Sequence, residues 1–192
     1  MAQLRSTGAR PLADYRDYLQ ILARLQLGRG LRGKLDPSDI VQQAILRAHT
    51  HLDQFSGRTE AEWLGWLRTI LGNVLCSVAR EFDAAARNIG REVSFESSLD
   101  ESSTRLAHLL STEGSSPSLA AVRAEELCRL AQALVQLPDD QRLAIESHHL
   151  KGLTVAQTAT EMGKSRSAVV GLLFRGLKRL RELMDVDGEG RS

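Results

Sequence analysis

Apolar residues recur every three or four positions over most of this chain, and that spacing predicts helices rather than strands. Leu12, Tyr15, Leu19, Leu22 and Leu25 mark a first helix, followed by a Gly- and Arg-rich loop from Gly28 to Lys34. Asp36 then stands as an N-cap, with Pro37 in the first turn, where a missing N–H costs nothing. A stripe of Ile40, Val41, Ala44, Ile45, Ala48 and Leu52 follows, with Asp39, Gln42, Gln43 and Arg47 on other faces. After a turn at Ser56-Gly57, Thr59 and Glu62 form a capping box. They open a helix from Glu60 toward Asn88, its core face lined by Trp63, Trp66, Leu67, Ile70, Val74, Val78 and Phe82. Asn73, Ser77 and Arg80 lie away from that stripe.

The pattern changes at Val93. Up to Ser118 there are nine serines, several acids and few large apolar residues outside Leu106 to Leu110. This composition predicts a mostly irregular linker with at most one short helix. Periodicity returns with Leu127, Leu130, Ala131, Leu134 and Leu137; Pro138 opens a further helix, Asp139 to Lys151, that Gly152 ends. The expected fold is all-α: two helical domains, residues 10–92 and 119–186, joined by a Ser-rich linker at 93–118. The tail DVDGEGRS is expected to fray.

The segment Thr154 to Arg181 carries the most chemistry. Ala159 precedes Gly163 by four residues and Val169 follows it by six. Two steeply crossing helices need a small side chain at the crossing and a turn residue that tolerates positive φ, which is a helix-turn-helix requirement. Val155, Met162, Val169 and Leu172 would close its core, and Thr154 and Ser165 stand at the two N-cap positions. From Lys164 to Arg181 there are six basic residues and no acid, the balance a DNA-reading helix requires.

Composition narrows the classes further. The 192 residues carry 25 Lys and Arg against 24 Asp and Glu, a net charge of +1, which argues against non-specific coating of DNA. The charge is blocked instead: residues 1–34 and the C-terminal helix are basic, and residues 95–126 are acidic. No apolar run has membrane-spanning length and no signal-peptide pattern opens the chain, so membrane insertion is not expected and a cytoplasmic location is. Cys76 and Cys128 read as buried thiols. No nucleophile elbow, phosphate loop or metal-ligand spacing occurs, the His49/His51 and His148/His149 pairs included; no catalytic residue, metal or cofactor is expected.

The order of the parts resembles the small two-domain sigma factors of bacterial RNA polymerase, the extracytoplasmic-function (ECF) group. DPSDIVQQAILRAHTHLDQF is similar to the family's D-L-V-Q-E-T-F-L-R-A-W helix, and EWLGWLRTILGNVLCSVAR to its W-L-x-x-I-A-x-N helix. LVQLPDDQRLAIESHHLKGLTVAQTATEMGKSRSAVVGLLFRGLKRLR is similar to its C-terminal domain. The resemblance implies a promoter-specificity subunit with core RNA polymerase and promoter DNA as partners, and an anti-sigma factor as a further one. It places Asp39, Gln42 and Gln43 on the clamp helices of the polymerase largest subunit, with Gln43 in place of the usual acid. It places Phe55, Ser56 and Arg58, with Asn73, Ser77 and Arg80, at the −10 element; Ser77 replaces an acid or amide common in relatives. It places Lys164, Ser165, Arg166, Ser167 and Val170 at −35 base edges, with Arg175, Lys178 and Arg179 nearer the backbone. Val170 stands where relatives often carry Lys. The linker would thread the polymerase near its active site and RNA exit channel. Fully extended, its twenty-six residues reach about 86–94 Å, enough to join elements roughly 70 Å apart. The alternative is a stand-alone helix-turn-helix regulator that binds an operator as a dimer.

Overall fold

The computed structural model describes residues 10–27, 35–82, 90–110 and 124–189. They form eight α-helices and no strand among the described residues. A short 3-10 turn, Leu12–Tyr15, leads into α1, Arg16–Gln26. Then come α2, Pro37–Thr50, and α3, Glu60–Phe82. The remaining helices are α4, Gly90–His108; α5, Ala124–Val135; α6, Asp139–Ile145; α7, Val155–Met162; and α8, Arg166–Glu189. The loop Gly28 to Lys34 and residues 83–89, where α3 was expected to run on, lie outside the described residues.

The expected local signals act where they were read. Asp36 caps α2 by accepting from the Ser38 N–H at 2.8 Å. Thr59 and Glu62 close their box at 3.2 and 2.9 Å ahead of α3. Ile40, Val41, Ala44 and Ala48 are buried, with Ile45 and Leu52 packed at the margin. On α3, Trp63, Leu67, Val74 and Val78 are buried, and Trp66 and Ile70 pack against them; the side chain of Phe82 lies outside the described ones. Leu64, Leu71 and Leu75 are buried as well. A helix apolar around most of its circumference must be covered on more than one side, and α1, α2 and α4 all touch α3.

The second cover on α3 corrects the linker expectation. Residues 93–108 are not irregular; they belong to a 19-residue helix, α4, that lies along α3 and also touches α1. Leu99 and Leu106 are fully buried, and between them Ser102 and Ser103 face the core instead of large apolar residues. The Ser103 hydroxyl is paired with the Tyr18 hydroxyl at 2.9 Å, so burying it leaves no hydroxyl unpaired. Serine at core positions hid a helical stripe that composition alone reads as a tether. Residues 111–118, the rest of the expected linker, lie outside the described residues.

Two smaller differences follow from the same close packing. The helix expected from Asp139 to Lys151 is α-helical only to Ile145 and widens into a π turn at Glu146–Leu150, with Lys151 N–H bonded to Glu146 C=O at 2.9 Å. The tail does not fray at Asp185: α8 continues to Glu189, and Arg129 of α5 donates to the Met184 carbonyl at 2.7 Å, fixing that end.

In the C-terminal half α8 packs against α5, α6 and α7. The two halves are not separate bodies. Helix α1 touches α2 and α3 on one side and α5 on the other, and Tyr18, Leu19, Ile21 and Leu22 are almost completely buried between them. The buried side chains of both halves form one continuous cluster. Cys76 and Cys128 are buried thiols, as expected. Burial holds Cys128 in its neutral form, with its pKa pushed up to about 12.

Candidate nucleic-acid interface and docking face

The helix-turn-helix is built from α7 and the start of α8. Thr154 and Gln157 cap α7 reciprocally: the Gln157 N–H donates to the Thr154 hydroxyl at 3.2 Å, and the Thr154 N–H to the Gln157 side chain at 2.9 Å. The helix ends at Gly163 with φ +64°, and the Lys164 N–H reaches back to the Ala159 carbonyl at 3.0 Å. A Cβ at Gly163 would meet nothing within 4 Å, so glycine is needed there for its backbone conformation and not for space. Ser165 caps α8 by accepting from the Ala168 N–H at 3.2 Å. Ala159 and Val169 are buried at the crossing. Gly176 fits a second tight approach: a Cβ there would stand 2.9 Å from Ile145 of α6.

This frame leaves Lys164, Ser165, Arg166, Ser167, Val170, Arg175, Lys178 and Arg179 all exposed. Lys164 pairs with Asp140 at 3.0 Å and Arg179 with Glu182 at 3.1 Å. Both are exchangeable surface pairs, which cost little to trade for a phosphate. Sequence reasoning missed Phe174, which is 72% exposed on the same helix. Its signal was available, since Phe174 stands four residues after Val170 and off the stripe of Val169 and Leu173.

Around α3 the loop at 55–59 is held at both ends. The Phe55 ring stands edge-on to Trp63 at 4.8 Å between centroids and 5.4 Å from Trp66. Phe55 therefore anchors the loop on the core, while Ser56 and Arg58 are exposed. At the other end the backbone N–H of Arg58, then the hydroxyl and N–H of Thr59, bond the Glu62 carboxylate and hold its pKa below the usual carboxylate range. Asn73 and Arg80 are exposed and Ser77 is half-buried along one side of α3, the Ser77 hydroxyl donating to the Asn73 carbonyl at 3.0 Å.

On α2 the side chains of Asp39, Gln42 and Gln43 are exposed together. Leu46, one turn further on, is 67% exposed and completes that face. Spacing alone left it unassigned, because it stands directly beside the stripe residue Ile45.

The sequence family described as Sigma-70, region 4 matches residues 129–180, from α5 through most of α8. The ECF RNA polymerase sigma factor SigL of Mycobacterium tuberculosis is 29% identical over 143 residues, covering 74% of this chain and 71% of SigL. The ECF RNA polymerase sigma factor BldN of Streptomyces coelicolor is 26% identical over 155 residues, 81% of this chain and 53% of BldN. These matches support a small sigma factor of the ECF group.

Among solved structures, the sigma factor RpoE of Bartonella quintana, in complex with the anti-sigma factor NepR, is 22% identical with a TM-score of 0.35, covering 92% of this chain and 95% of that chain. No helix among the described residues is long and apolar enough to cross a membrane.

Proposed function

We propose that this sigma factor uses three surfaces in sequence to start transcription. The α2 face of Asp39, Gln42, Gln43 and Leu46 docks on core RNA polymerase, where polar groups can make charge-assisted hydrogen bonds to arginines. The loop at 55–58 and the side of α3 bearing Asn73, Ser77 and Arg80 take the −10 element, where a base must leave the stack and be held. The exposed start of α8 reads the −35 element in the major groove. Residues 10–92 and 119–186 are the two promoter-reading units. The role is non-catalytic and cytoplasmic, and an anti-sigma factor that covers α2 would silence it.

The observation that carries this reading is α8: capped, aligned across α7, basic and free of carboxylates from Lys164 to Arg181. A stand-alone regulator is not favoured, because similarity to sigma factors runs over 143 residues and not over the helix-turn-helix alone. The test is run-off transcription with purified core polymerase and fragments of the source genome. Discrete transcripts that depend on this protein support the reading; loss of both transcripts and core binding overturns it. Asp39→Arg should reduce core affinity at least several-fold with an unchanged circular dichroism spectrum. Wild-type affinity in the folded variant would remove α2 from the docking surface.

A further inference from the structure

Along α8, Arg166, Val170, Phe174 and Lys178 follow one another at every fourth position, and all four are exposed. This spacing places them on one ridge of the helix. Val170 is 53% exposed and Phe174 is 72% exposed; among the described residues only Leu46, on α2, is a third large apolar side chain so exposed. An apolar pair bracketed by cations on a helix without carboxylates from Lys164 to Arg181 suits an anionic surface that also offers apolar groups, as the floor of a DNA groove does.

The neighbouring ridge is built of small residues under one guanidinium. Ser167 is small, Gly171 has no side chain, and the Arg175 guanidinium lies back over Gly171, 3.2 Å from where a Cβ would stand. With only the Arg175 guanidinium laid over that ridge, Val170 and Phe174 stand out from the helix surface and are the apolar side chains placed to meet the floor of a groove. The major groove is about 12 Å wide, and the one apolar group on its floor is the thymine 5-methyl. Four residues of helix advance about 6 Å, close to two base steps at about 3.4 Å each.

We infer that Val170 and Phe174 determine the −35 preference of this sigma factor by packing on the 5-methyl groups of two thymines about two base steps apart. Arg166 and Lys178 secure the flanks, Arg166 at a base edge and Lys178 at a phosphate. The inference rests on the −35 assignment of α8 and names the base chemistry it reads.

The experiment uses the full chain with core polymerase. Bound promoters are selected from a randomised duplex library, and the selected −35 element is resynthesised with deoxyuridine in place of thymidine, which removes only the methyl. Selected sites should carry thymines at that spacing. Each methyl removed should weaken binding roughly four-fold, the effect of one buried carbon. Val170→Ser with Phe174→Ser, both at exposed positions that leave the core intact, should bind the thymidine and deoxyuridine promoters equally. A selected −35 element bound equally well with deoxyuridine by the wild type overturns the inference and leaves α8 as the −35 reader. Failure to select any −35 element overturns both.

Discussion

Gly163 shows how much of the helix-turn-helix depends on one backbone angle. Its φ of +64° lies where a side chain strains the chain, and space around it is open. Gly163→Ala should therefore cost about 1–2 kcal/mol, read as a lower urea midpoint, with no compensating contact. His149 gives a pH signature at the same scale. Burial, and then the neighbouring His148, hold its pKa below the usual 6.5. Unfolded chains take up this proton near 6.5 while the folded protein resists it, so the unfolded state binds more protons there. Stability associated with the neutral ring is complete above pH 6.5 and is lost as pH falls toward the lowered folded value. His149→Gln should flatten that decline, and urea midpoints measured across this range for both proteins check it. A decline of unchanged slope would assign the pH sensitivity to other groups.

At the scale of elements, α4 is the part whose character differs most from expectation. A tether contributes nothing to folding, whereas a helix laid along α3 with Leu99 and Leu106 buried is part of the core. Leu99→Ala should then cost roughly 2–5 kcal/mol, the range for a large-to-small change in a packed interior. An unchanged unfolding midpoint would return residues 93–108 to the status of a tether. The polar side of the same contact is a network: Arg68 donates to Asp100 at 2.6 Å and to the Tyr18 hydroxyl at 3.2 Å, and Tyr18 meets Ser103. It joins α1, α3 and α4 at one place, so the helix is set in register by hydrogen bonds as well as by burial.

For the whole molecule, the packing of the two halves has a functional consequence. Arg10 pairs with Glu125 at 3.2 Å, and Arg24 approaches the buried Glu146 at 3.6 Å. Arg105 of α4 also lies against Gly152, in the turn before α7. A compact chain of 192 residues has a radius of gyration of about 16 Å, a body about 40 Å across. Promoter elements roughly 70 Å apart exceed that width, so on the proposed reading the halves separate to engage both. Arg24→Glu places a like charge beside Glu146 and should favour the separated form. Small-angle scattering should show a radius of gyration larger by several ångströms than that of the wild type. Equal radii, both near the compact value, would mean that this contact does not hold the halves together.

What the sequence determined by itself is what a few neighbouring residues can settle. The caps at Asp36, Thr59, Thr154 and Ser165, the turn at Gly163 and the stripes of α2 and α3 act over one or two helical turns, where local hydrogen bonding and periodicity are enough. The basic surface of α8 was legible for the same reason. The tertiary structure decided everything that depends on what arrives from far along the chain. α1 reads as a stripe of Leu12, Tyr15, Leu19, Leu22 and Leu25 but buries Tyr18 and Ile21 as well, because α5 packs on it from far along the chain. Ser103 reads as linker but lies in the core, because Tyr18, 85 positions away, supplies its hydrogen bond. Leu46 and Phe174 carry no assignment from spacing alone but stand exposed, because no element of the described residues covers them. Burial is a property of the neighbour as much as of the residue, and sequence spacing reports only the residue.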